Sequence, residues 1–162
     1  MTIRQVSFTS RLRAESLAAS PHIAVISITD PGTPEASLDA GFTDVLRLSF
    51  FDAVPADEYL PAPLPGMFDH VMARQIGDFV RELHAAPADV SLMAHCEYGV
   101  SRSAAVALFA AAHAGAPLAA REFAYDANHW VVELLSRLYP DLAIEIPAPA
   151  GASERRTLPR AA

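Results

Sequence analysis

The sequence predicts an α/β fold, a mostly parallel central sheet flanked by helices, and three observations carry that expectation. Short β-branched runs such as Ile23–Ile28 alternate with segments of helical period such as Phe68–Leu83. The stretch from Arg102 to Ala114 is apolar on every face, so as a helix it has to be buried. At 162 residues and 52% hydrophobic, the chain has the material for one core and one domain, assigned to residues 1–146.

The elements follow in order. Val6 to Thr9 reads as a short first strand, followed by a helix through Leu12, Ser16 and Leu17 up to Pro21. Ile23–Ile28 is a nearly continuous β-branched run closed by Thr29-Asp30-Pro31-Gly32, hence a buried strand ending in a turn. Another strand is expected over Asp44–Phe51. Between Ala53 and Gly66, Pro55, Pro61, Pro63 and Pro65 exclude helix and strand interiors and leave a long, stiff surface loop of the kind that serves as a lid.

Phe68, Met72, Ile76, Phe79, Val80 and Leu83 then recur on one face of an amphipathic helix of about four turns. Val90–Ala94, bounded by Pro87 and Asp89, reads as a central strand. The buried helix after it stops at Gly115 and Pro117. Two more helices are expected, one over Leu118–Tyr125 and one over Asn128–Leu138, where Trp130, Val131, Leu134, Leu135 and Leu138 form one stripe. Residues 147–162, small, polar and proline-containing, read as a flexible tail.

Charge narrows the partners. With 12 basic and 19 acidic residues the formal charge is −7, which argues against long-range attraction to nucleic acid or to an anionic membrane surface. No apolar run is long enough to span a bilayer, and Arg4, Gln5, Arg11, Arg13 and Glu15 interrupt any signal-peptide pattern at the N-terminus. A single cysteine gives no internal disulfide, so a reducing, cytoplasmic setting is expected. His22, His70, His84, His113 and His129 show no ligand spacing, and no metal or cofactor is expected.

That one cysteine sits in His95-Cys96-Glu97-Tyr98-Gly99-Val100-Ser101-Arg102-Ser103, between the central strand and the buried helix. A loop opening into a helix N-terminus converges its backbone N–H groups on one point, where the helix dipole favours negative charge. Gly99 can take a positive φ and let the loop curl. In such a field a thiol ionises near neutral pH and becomes a nucleophile. Arg102 offers a planar fork of donors that matches two oxygens of a phosphate or sulfate.

His-Cys, five residues, Arg, Ser resembles the signature of the cysteine-dependent protein tyrosine phosphatases, in particular their small dual-specificity-like branch. The likeness extends more loosely over Ile23 to Leu138, and Asn128 resembles a recurring family feature. The resemblance implies a strand-loop-helix phosphate cradle in which Cys96 is the nucleophile and Arg102 the phosphate clamp. Backbone amides of Glu97, Tyr98, Gly99, Val100, Ser101 and Arg102 line the cradle. Ser103 would hydrogen-bond the thiolate, and His95 would orient the loop and tune the cysteine.

The reaction also needs an acid for the leaving oxygen and then a base for the attacking water. In the family one aspartate on an upstream loop does both. Asp52, where the strand ends and the proline-rich loop begins, fits best. Asp57 and Glu58 on the same loop and Asp69 in the helix that follows are the alternatives, Asp69 otherwise lying on a solvated face. The Trp-Pro-Asp triplet of the larger relatives is absent, and so is their lysine-bearing phosphotyrosine segment, since the chain contains no lysine.

Around the motif, Tyr98 either shapes the pocket mouth or merely packs, and Arg121 either touches a phosphate or lies on a solvated helix face. Trp130 is assigned to the core and Thr29-Asp30-Pro31 to a turn. The resulting expectation is a phosphomonoester hydrolase acting through a phosphocysteine on a phosphorylated protein or small phosphomonoester. The rival is a catalytically silent module that holds phosphate without turning it over.

Overall fold

A computed structural model describes residues 2–55 and 64–150. Four strands form one sheet in the order β1-β4-β2-β3, every neighbouring pair parallel. They are β1 (Ile3–Ser10), β2 (Ile23–Thr29), β3 (Val45–Ser49) and β4 (Val90–Cys96). The helices are α1 (Arg11–Ser16), α2 (His70–Ala85), α3 (Arg102–Ala114) and α4 (His129–Leu138). A wholly parallel sheet needs crossover elements on its faces.

Alternation along the strands sorts the two faces. Leu92, Ala94 and Cys96 of β4 join Ala24, Ile26 and Ile28 of β2 in the main core, which α2, α3 and α4 cover. Met93 and Val25 point the other way, into a smaller cluster with Ala14 of α1 and Phe42. His95 therefore shares the second face with Ser27, whereas Cys96 ends its strand on the first.

The apolar helix α3 is buried along nearly its whole length, from Arg102 to Ala111, and Gly115 in the left-handed conformation closes it. In α2 the buried positions Ala73, Ile76, Gly77, Val80 and Leu83 keep the expected helical spacing.

Several boundaries differ from the sequence reading. α1 stops at Ser16, well short of Pro21, because only Ala14 on it is buried and nothing holds a further turn. β3 ends at Ser49, since the amide of Phe50 bonds to Thr29 but that of Phe51 turns away to the carbonyl of Gly66. The helix expected over Leu118–Tyr125 is absent. Pro117 and Ala119 instead bond to Val6, extending the β1 edge, and a 3₁₀ turn follows over Arg121–Asp126.

Asp69 is the N-cap of α2, its Oδ1 accepting from the amide of Met72 (2.9 Å), rather than a residue of a solvated face. Residues 147–150 carry no regular structure, and 151–162 lie outside the described residues. Among the described residues no helix is long and apolar enough to cross a membrane.

Candidate active site

The site lies at the carboxyl ends of β4 and β2, where open parallel sheets place their ligand crevices. β4 delivers Cys96, residues 97–101 form the loop, and α3 begins at Arg102. What bends the loop is Gly99. Its φ is +73°, and a Cβ there would stand 2.4 Å from the carbonyl carbon of Thr9 and 2.5 Å from the nitrogen of Ser10. The loop is thus pressed against the end of β1, and only glycine fits. Arg11 clamps the same loop from the side, its amide donating to the Glu97 carbonyl (3.2 Å) and its guanidinium lying 3.9 Å from the Glu97 carboxylate.

Inside the loop is a cavity of about 340 Å³ lined by Asp52, Cys96, Tyr98, Val100, Ser101 and Arg102. Cys96 is buried, with Sγ 3.1 Å from the hydroxyl of Ser103, itself fully buried on the first turn of α3. Burial alone would push the thiol pKa up. Hydrogen bonds from the Ser103 hydroxyl and from the amides of Ser103 and Gly99, with the charge of Arg102, outweigh it and hold the pKa below the ordinary thiol value.

The N-terminus of α3 is unusual in having no side-chain cap. Ser101 occupies the cap position, yet its hydroxyl donates away from the helix, to Oδ1 of Asp52 (2.8 Å). No acidic residue sits in the first turn. The dipole's positive end is accordingly left to whatever the cavity holds.

Arg102 is 4% exposed and fixed at one end. Its Nη1 donates both to Oδ1 of Asp30 (2.7 Å) and to the carbonyl of Phe50 (2.7 Å). Its Nε is buried without a partner among the described residues. A guanidinium anchored on one nitrogen and open on another, beside a thiol whose ionisation is favoured and an uncapped helix end, is suited to grip a tetrahedral oxyanion over the sulfur.

His95 takes no part in the cavity. Fully buried on the opposite face, its Nε2 lies 2.5 Å from the Ser27 hydroxyl and its Nδ1 3.3 Å from the Cys96 carbonyl. Burial, the largest influence, lowers its pKa, so the ring is neutral at neutral pH. One consistent assignment has Nδ1–H donating to the carbonyl and Nε2 accepting from Ser27.

The structure brings Cys96, Arg102, Ser103 and Asp52 together and sets His95 behind them. Glu97 is turned toward Arg11, and Tyr98, 82% exposed, stands at the cavity mouth without packing. Asp69 caps α2 and does not line this cavity; Asp57 and Glu58 lie outside the described residues. Arg121 donates to the Glu145 carbonyl, and Trp130 packs partly buried against the core with Nε1 bonded to the Phe68 carbonyl.

Two contributors were missed. Asp30, read as part of a turn, is the anchor of Arg102; its place just past the carboxyl end of a strand was the signal in the sequence, and the sheet order sets that strand beside the motif strand. Ser27, polar inside an apolar strand, is the partner of His95, and a buried hydroxyl in such a run needs one. Comparison with protein-family models, with curated proteins and with solved structures finds no match for this chain.

Proposed function

We propose that this chain is a phosphomonoester hydrolase of the cysteine-dependent protein tyrosine phosphatase kind, working through a phosphocysteine. The observation that carries the reading is the pairing of a pKa-lowered Cys96 with an Arg102 held by Asp30 and Phe50, at the uncapped start of α3.

In the first step the Cys96 thiolate attacks phosphorus, and the ester P–O bond breaks. The leaving oxygen takes a proton from the Asp52 carboxylic acid. In the second, Asp52, now a carboxylate, takes a proton from water, the water oxygen bonds to phosphorus, and the S–P bond breaks to return the thiolate. Arg102 and the amides of the loop hold the equatorial oxygens throughout, where charge is concentrated in the transition state. The Ser103 hydroxyl, hydrogen-bonded to Sγ, stabilises the departing thiolate. The substrate is a phosphorylated protein or small phosphomonoester, and a free, ionised thiol fits a reducing compartment such as the cytoplasm.

Hydrolysis of para-nitrophenyl phosphate without added metal tests the reading. Cys96→Ser is expected to abolish turnover, and Asp52→Ala to lower kcat by about 100-fold, the usual range for a lost general acid. Absence of turnover in the native chain, with vanadate or phosphate still bound, would make it a phosphate-holding module instead.

A further inference from the structure

The peptide between Glu97 and Tyr98 is held from outside the cavity. Its carbonyl accepts from the amide of Arg11 (3.2 Å), the first residue of α1, just past the end of β1. The peptide is trans and planar, so its N–H points opposite to its C=O. With the carbonyl drawn toward α1, the Tyr98 N–H faces the other way, on the side where Tyr98 lines the cavity. Among the described residues no carbonyl accepts from it.

A helix leaves its first amides without partners of its own. In α1 the amide of Arg13 goes to the Ser10 hydroxyl (3.2 Å), and that of Arg11 goes to the loop. The Arg11 side chain is spent mostly elsewhere. Its Nη2 donates to the Glu35 carbonyl (3.0 Å), its Nε lies 3.5 Å from the Glu15 carboxylate, and only Nη1 approaches Glu97, at 3.9 Å. The main chain of Arg11, more than its charge, therefore sets the direction of this peptide. A flip would turn only ψ of Glu97 and φ of Tyr98, leaving Cys96 and Gly99 in place.

Resting on the anion cradle of the phosphatase reading above, we infer that Arg11 is a positioning residue whose amide locks this peptide with the Tyr98 N–H turned inward. So held, the N–H is a preorganised donor to a bound tetrahedral oxyanion. Flipped, the peptide would present the Glu97 carbonyl to the cavity and repel the anion.

The amide and the guanidinium are separable. Proline is accepted at the first position of a helix, and Ser10, at φ −78° and ψ 161°, has the extended conformation that a following proline requires. Arg11→Pro removes the N–H and sets a ring carbon against the Glu97 carbonyl, whereas Arg11→Ala removes the guanidinium alone. Orthovanadate binding to the full chain, followed by calorimetry, should weaken about 10- to 100-fold in Arg11→Pro, the worth of one hydrogen bond to a charged group. In Arg11→Ala it should weaken less than about fivefold, the range of a partly exposed ion pair. The pH midpoint of Cys96 alkylation should hold in both, because Ser103, Gly99 and Arg102, which favour its ionisation, are untouched. In the native chain the Tyr98 amide proton should move downfield in NMR spectra as vanadate binds, a measurement that depends on no variant folding.

A loss in Arg11→Ala as large as in Arg11→Pro would assign the hold to the guanidinium and overturn the lock. Native affinity in Arg11→Pro would overturn it too, as would a Tyr98 amide proton that vanadate leaves in place. A thiol midpoint that moves together with affinity would mark a general loosening of the loop instead. A native chain that binds vanadate but hydrolyses no aryl phosphate removes the phosphatase reading, and the same comparisons still decide the lock. A native chain that binds no vanadate sinks both.

Discussion

The loop at residues 97–101 and the segment that carries Asp52 face each other across one cavity, yet they are built in opposite ways. The first is wedged. Gly99 lies against the backbone of β1, Arg11 holds Glu97, and the amides and the Ser103 hydroxyl converge on the sulfur. The second is tethered. Phe51 turns away from the sheet to Gly66, and Asp52, itself exposed, is held through one carboxyl oxygen by Ser101 and Asn128. On the phosphatase reading the difference is functional: a group that must stabilise fixed charge benefits from a rigid frame, whereas one that gives and then takes a proton needs only to be delivered.

The largest expected effect comes from breaking the wedge. A methyl group in Gly99→Ala meets backbone atoms rather than a side chain that could move aside, and it also forces a positive φ on alanine. Together these are expected to cost about 2–5 kcal/mol of stability, measured by urea unfolding, and to remove anion binding. A Gly99→Ala protein that unfolds at the native urea midpoint and still binds vanadate would show that the loop is not pressed against β1.

Removing the anchor beneath the arginine is the next test of the same rigidity. Asp30 is 36% exposed, so water replaces part of its charge and the stability loss should be modest. Arg102, at 4% exposure, keeps only the Phe50 carbonyl on Nη1 and loses its fixed aim. Asp30→Ala is therefore expected to weaken vanadate inhibition and kcat/KM by about 10- to 100-fold, the range associated with a clamp displaced by an ångström. Asp30→Asn, which retains an acceptor, should recover part of it. Unchanged inhibition in both variants would mean that Phe50 alone suffices.

The contrast also explains what could be read from the residues in order. The loop was legible because its requirements are local: a cysteine, a glycine and an arginine at fixed spacing between a strand and an apolar helix specify their own geometry. The α/β layering was legible for a similar reason, since hydrophobic period marks each element. The contacts of Asp30 with Arg102, Ser27 with His95 and Asn128 with Asp52 span 72, 68 and 76 positions of sequence, and only the tertiary fold creates them. The helix misread over Leu118–Tyr125 fails likewise, because Val6 at the sheet edge captures its first residues. Tertiary pairing there outweighs a local preference.

The smallest effect separates the two loops electrostatically. Ionisation of Cys96 is favoured by Ser103, Gly99 and Arg102, all of which belong to the wedged side, and Asp52 is not among the causes. Because the folded pKa is depressed, the thiolate persists below the ordinary thiol range and is lost only as pH falls through the lowered value. Alkylation by iodoacetate, followed from pH 5 to 9, should therefore titrate below a free thiol. Ser103→Ala removes a hydrogen bond to a charged group and should move the midpoint back toward the ordinary range, whereas Asp52→Ala should leave it in place. A midpoint that shifts with Asp52→Ala as much as with Ser103→Ala would mean that the Asp52 segment shares in ionising Cys96, and the division between frame and tether would not hold.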